Sequence, residues 1–329
     1  LLILHPGFPK TGTTFLQQQL KSEPWYFGPS KECETSALLS KLARAFSAAD
    51  LDAVLEEAAT AESRHGTVLI SEEAFLSIRP YEMAMRIGLY RALEPAHLLS
   101  SCWTAPETKL LALVKAVAGR PHAWLFTVRE HRKWCTSFYR YSLSELDPGR
   151  AGLFLANAAH AGAVGGPVFK TSIDLVRALD PSAEIIVVPM EIFTSPPRMA
   201  EFEQLMRKRL GLKIALPRDA KVENASLIAL PAPYKRFVSQ ASVALKNKRL
   251  KRIGARAERA VGAVLSNLYL YDRSGADSAL ASALESAAGL FAEDTKELQR
   301  LCAFDLHEIG YGQPASAATP HRVSGISTT

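Results

Sequence analysis

The chain has 329 residues, of which 48% are hydrophobic and 22% charged, and its formal net charge is +6. That length buries a large core without metal or disulfide staples, and that balance excludes a low-complexity or collagen-like chain. No stretch reaches the ~18 consecutive apolar residues of a membrane span, and the positive charge, with no nucleic-acid motif beside it, suits an anionic ligand.

Residues 1–5 (LLILH) are a short apolar run ended by Pro6 and Gly7, the pattern of a buried strand. Residues 13–21 place Phe15, Leu16 and Leu20 at helical spacing, and helical patterns return over 36–46 and 51–64. A second strand is expected at 67–70, followed at once by Ser71-Glu72-Glu73. Helices are expected at 81–93 and 107–118, a third strand at 123–128, and a helix at 132–146. Residues 162–167 make a Gly-rich connection. EIIVV at 184–188 is the fourth strand, 199–210 a helix after Pro196-Pro197, and 233–301 reads as helices. Residues 313–329, rich in Pro, Ser, Ala and Thr, read as a disordered tail. Cys33, Cys102, Cys135 and Cys302 lie far apart and lack metal-ligand spacing, so free thiols and no metal site are expected. The start lacks the flank and long apolar core of a secretory signal, which makes a cytoplasmic protein the expectation.

Short apolar strands alternating with helices specify an α/β fold: a central parallel sheet flanked by helices, with a helical C-terminal part, in one domain over 1–312. Ligands of such sheets lie beyond the carboxyl ends of the strands. Each strand here runs into a polar cluster there: 10–14, 71–73, 129–137 and Glu191.

The first cluster is HPGFPKTGTT. Gly7 and Gly12 have the spacing of a Walker A loop, G-x-x-x-x-G-K-[ST], but Thr13 stands where the lysine belongs and the lysine has moved to position 10. Loop amides and a helix N-terminus still cradle an anion. The lysine that reaches β- and γ-phosphates is missing, and no strand ends in a Walker B aspartate. The pattern therefore predicts a P-loop-like three-layer fold whose ligand is a phosphate carrying a transferable group, not a triphosphate.

At these residues the sequence resembles a family. PKTGTTFLQ is similar to the 5′-phosphosulfate loop of sulfotransferases that use 3′-phosphoadenosine 5′-phosphosulfate (PAPS), and LFTVREHRKWCTSFYRY resembles their second signature. EIIVVPMEIF and DLHEIGYG resemble later segments, the second of bacterial and carbohydrate-type members. The resemblance implies that Lys10, Thr11, Gly12, Thr13 and Thr14 hold the phosphosulfate, and that Arg129 and Ser137, eight residues apart, hold the 3′-phosphate. It implies sulfuryl transfer without metal to a carbohydrate or other small-molecule acceptor. Glu130-His131 departs from the Asp-Pro of many members.

An acceptor hydroxyl or amine needs a base. VLISEEAF resembles a Ser-Ser-Glu segment of carbohydrate-type members, which favours Glu73 over Glu72. His5 and His131 are the rivals, each also readable as structural. Glu191 is expected to organise the rim through hydrogen bonds. Asn224 to Ser226 reads as a nucleotide contact or a helix cap, and the basic run at 246–252 as a solvated face or a landing strip for an acidic glycan. Trp25, Tyr26, Trp103 and Trp134 are either core or sugar-stacking platforms. An ATP-dependent kinase and a non-catalytic nucleotide-binding module are the alternatives.

Overall fold

Leu2–His5 is buried along its whole length as strand β1 of the computed structural model, which describes residues 1–29, 31–44, 46–76, 106–142, 148–218 and 273–312. Helix α1 (Thr13–Leu20) follows, then β2 (Tyr26–Phe27), α2 (Glu34–Arg44), α3 (Ala48–His65) and β3 (Val68–Ser71), which runs into a 3-10 turn at Glu73–Phe75. Beyond these come α4 (Pro106–Val117), β4 (His122–Val128), α5 (His131–Ser142), α6 (Pro148–His160) and α7 (Phe169–Leu179). The described chain ends with β5 (Glu184–Pro189), α8 (Met190–Thr194), α9 (Met199–Leu210), α10 (Arg273–Ser286) and α11 (Ala288–Leu301). The helices expected at 81–93 and 233–272, Cys102, Trp103, Asn224 to Ser226, the basic run at 246–252 and the tail 313–329 lie outside the described residues.

Local chemistry sets several boundaries. Ser47 caps α3 by accepting from the Asp50 amide at 3.3 Å, and Gly211 ends α9 in the left-handed region. The two-residue β2, α6, α7 and α8 were not expected from the sequence. Two residues cannot display a period, and α6 to α8 flank the Gly-rich turn and the β5 exit, where turn signals dominate.

All strands are parallel, in the order β2-β3-β1-β4-β5. Alternate residues feed two cores. Leu2, Leu4, Val68, Ile70, Trp124 and Phe126 face one, together with α3, α4 and α7. Ile3, Leu69, Ala123, Leu125 and Ile186 face the other, against α1, α8 and α9. Both faces of the sheet are therefore covered, as the continuous apolar strands require. Trp25, Tyr26 and Trp134 are buried core residues and offer no platform to a sugar. Among the described residues no helix is long and apolar enough to cross a membrane.

Strand order fixes where a ligand can sit. The chain leaves β1 toward β2 on one side of the sheet and leaves β4 toward β5 on the other. The carboxyl ends of the adjacent strands β1 and β4 thus form the switch point, where connections diverge and open a crevice.

Candidate functional site

The 6–12 loop opens at that crevice. Gly7, Lys10 and Gly12 have φ of 55°, 64° and 81°, and Lys10 is the one non-glycine in this region among the described residues. A Cβ at Gly7 would meet Thr13 Cγ2 at 2.7 Å, and one at Gly12 would meet Met190 and Phe193 at 2.9 Å. Both glycines are thus required by backbone conformation and by close packing. Three consecutive loop carbonyls are held from behind. Phe8 O accepts from the Thr11 hydroxyl (2.8 Å), Pro9 O from Trp134 Nε1 (2.6 Å) and Lys10 O from Arg129 Nη1 (3.3 Å). The Gly12, Thr13 and Thr14 amides find no backbone acceptor among the described residues, and no side chain caps α1. With its carbonyls tied inward and first-turn amides open, the loop has the polarity of an anion cradle.

Threonine roles divide within it. Thr11 is fully buried and its hydroxyl is engaged by Phe8 O and Thr127 Oγ1, so the expected anion contact from this hydroxyl is not available and only the backbone remains for it. Thr13 Oγ1 donates to Glu73 Oε2 at 2.5 Å, and Thr14 is half-buried.

Glu73 reaches the loop through the Thr13 hydroxyl. Burial pushes its carboxyl above the usual value, while the Thr13 hydroxyl and the Lys10 ammonium pull it part of the way back. Glu72 is buried at the end of β3, where its amide donates to His5 O. Lys10 Nζ lies 4.4 Å from the centre of the Tyr141 ring, a cation–π contact with α5.

His5 is corrected as a candidate base. It is 1% exposed, with Nδ1 2.8 Å from Ser71 Oγ and Nε2 3.1 Å from Thr127 Oγ1. Burial lowers its pKa to about 4. Both nitrogens are occupied, and neither faces the crevice. His131 is likewise withdrawn: Nε2 sits 2.7 Å from Asp294 Oδ2, and the ring stacks on Phe291. Asp294 also accepts from the Phe169 and Lys170 amides, so it locks α11 to the starts of α5 and α7.

Arg129 leaves β4 half-buried against the Lys10 carbonyl, so the two sequence signatures meet across the switch point. Glu130 caps α5, accepting from the Arg132 (2.9 Å) and Lys133 (2.8 Å) amides. Along α5, Trp134 and Tyr141 both touch the loop and lie seven residues apart. Ser137 falls between them on the same face, since residues three and four apart are neighbours. Glu191 accepts from the Glu130 amide and from the Tyr311 hydroxyl, each at 3.3 Å, and stands 4.0 Å from Lys133 Nζ. It organises the rim as expected, and burial raises its carboxyl.

Hydrogen bonds and the Lys10–Tyr141 contact thus link Lys10, Thr13, Glu73 and Arg129 about the loop, helix spacing puts Ser137 on the α5 face of Trp134 and Tyr141, and His5, the Thr11 hydroxyl and His131 are engaged inside. Thr127, Tyr141, Asp294 and Tyr311 carried no expectation from the sequence, and Trp134 was expected only as core or as a sugar-stacking platform, not as a donor to the loop. Trp134 and Tyr141 had one available signal, their shared helix face with Ser137. Among the described residues no group of His, Cys, Asp and Glu side chains is suited to a metal, and Cys33, Cys135 and Cys302 are free thiols. No family model, curated protein or solved structure matches the chain.

Proposed function

We propose that the protein is a sulfotransferase of P-loop-like fold, moving a sulfuryl group from PAPS to a hydroxyl or amine of a carbohydrate or glycan-like acceptor. One observation carries this reading. A glycine loop with its carbonyls tied down and its lysine displaced into the turn meets an arginine and a serine-bearing helix face at the switch point. A strand, such a loop and a helix make the phosphate-binding unit of P-loop proteins. The buried Thr13 at the usual lysine position supports a ligand shorter than a triphosphate.

The donor supplies an activated sulfuryl group whose leaving oxygen belongs to a 5′-phosphate. The amides of residues 12–14 hold the anionic end, and Lys10 neutralises charge on the leaving oxygen as the bond to sulfur breaks. Glu73 takes the acceptor proton as the new oxygen–sulfur or nitrogen–sulfur bond forms. Arg129, with five donors of which Nη1 is bonded to Lys10 O, grips the 3′-phosphate with Ser137 beside it. No step calls on a metal.

The Arg129 assignment is tested by calorimetry. Arg129→Ala is expected to weaken binding of adenosine 3′,5′-bisphosphate about 100-fold, the size expected for truncating one partner of a charged pair. Binding of 5′-AMP should fall by less than about tenfold, the cost of the lost Lys10 O hydrogen bond alone. Equal losses for both ligands would remove the 3′-phosphate from Arg129.

A further inference from the structure

Behind the loop lies a chain of buried polar groups that spans four elements. In order it runs Gln17 on α1, Ser71 on β3, His5 on β1, Thr127 on β4, then Thr11 and Phe8 in the loop. His5, Ser71 and Thr127 share the sheet face of Ile3, Leu69 and Leu125 and end it at the carboxyl edge, under α1. This placement follows from the two-residue alternation of a strand.

The direction of every proton in this chain can be deduced from one end. The Phe8 carbonyl can only accept, so the Thr11 hydroxyl proton, 2.8 Å away, is committed to it. Thr11 Oγ1 must then accept at its 2.9 Å contact with Thr127, which makes Thr127 the donor. With its proton spent, Thr127 Oγ1 must accept from His5 at 3.1 Å, so Nε2 carries the imidazole proton. Nδ1 is then the bare nitrogen, and at 2.8 Å it takes the Ser71 hydroxyl proton. Ser71 Oγ in turn accepts from Gln17 Nε2 at 3.2 Å, so the donor assigned at the far end agrees with the polarity read from the loop. Each hydroxyl donates once and accepts once. A second proton on His5 would oppose this whole direction, and the depressed imidazole pKa has the same sign.

We infer that His5 is a positioning residue, held as the neutral Nε2–H tautomer in a one-way hydrogen-bond chain that fixes the inner face of the 6–12 loop. Thr127 is the link through which it acts. By fixing Thr11, the chain sets Phe8 O inward at the turn that precedes Lys10 and the open amides. Its effect on ligand binding rests on the donor-nucleotide reading above; the tautomer does not.

The two parts are tested on the full chain. With ¹⁵N-labelled histidine, long-range proton–nitrogen spectra at neutral pH should show a neutral Nε2–H tautomer that disappears in His5→Gln. An Nδ1–H tautomer or an imidazolium assigned to His5 would overturn the chain's direction. Thr127→Val keeps the shape and removes the hydroxyl. It should weaken adenosine 3′,5′-bisphosphate binding about tenfold, while Thr127→Ser restores it to within about threefold. Wild-type affinity in a folded Thr127→Val would overturn the positioning role, and a Val variant that does not fold passes the test to Thr127→Ser, which must bind like wild type. If the wild-type chain binds no bisphosphate, the nucleotide reading and the loop's role in it fall together, and the tautomer spectrum still decides the chain's direction.

Discussion

Lys10→Ala is expected to slow sulfuryl transfer by about a thousandfold, within the range seen when a donor to developing charge is removed. Alanine at this position meets the same left-handed backbone strain as lysine, because both carry a Cβ at φ 64°. The loop should therefore keep its shape and lose one charge. The loss should appear mainly in the chemical step, with affinity for the bisphosphate falling far less. A second signature follows from the Lys10–Glu73 attraction. Without the ammonium, the carboxyl rises further, so the acid limb of the residual rate should move to higher pH. Turnover is read with radiolabelled donor and an acceptor drawn from a panel of glycans, phenols and amines. A rate near wild type would remove Lys10 from the chemistry.

Glu73→Gln should abolish most of the transfer, by about a thousandfold for loss of a positioned base. Nucleotide affinity should hold or improve. Glu73 occupies the Thr13 hydroxyl and draws on Lys10, two groups that an anionic ligand also needs. Replacing a carboxylate there by a neutral amide removes a competitor. The pH dependence has a definite sign. Transfer needs the deprotonated carboxylate, and burial raises its pKa above 4.5, so the rate should climb with pH through a value above that of an ordinary glutamate. Full activity in Glu73→Gln would end its assignment as base, and weakened bisphosphate binding would show that the carboxylate supports the cradle instead of competing for it.

Much of this architecture can be read from local pattern. β1, β3, β4 and β5 are apolar runs ended by polar clusters, and their exits mark the crevice because parallel sheets place ligands there. Gly7 and Gly12 were legible for a similar reason, since a tight turn at a helix start needs residues without a Cβ. What could not be read depends on contacts between distant residues. The Thr11–Thr127 pair is 116 positions apart and Trp134 to Pro9 is 125. No periodicity announces such pairs. Hence His5 looked like a possible base beside the loop, although the fold seals it between two hydroxyls. Glu130 looked like a departure from a pattern, although its carboxylate caps α5 from one residue before the helix. His131 looked available, yet its partner Asp294 arrives from a helix far along the chain.

The most direct test of the account is a calorimetric titration of the wild-type chain with adenosine 3′,5′-bisphosphate in the presence of a metal chelator. Saturable binding is expected, stronger than that of 5′-AMP by about tenfold or more, because the proposed site adds a charge-assisted contact between Arg129 and the 3′-phosphate. Absence of binding, or a preference for ATP that requires magnesium, would contradict it.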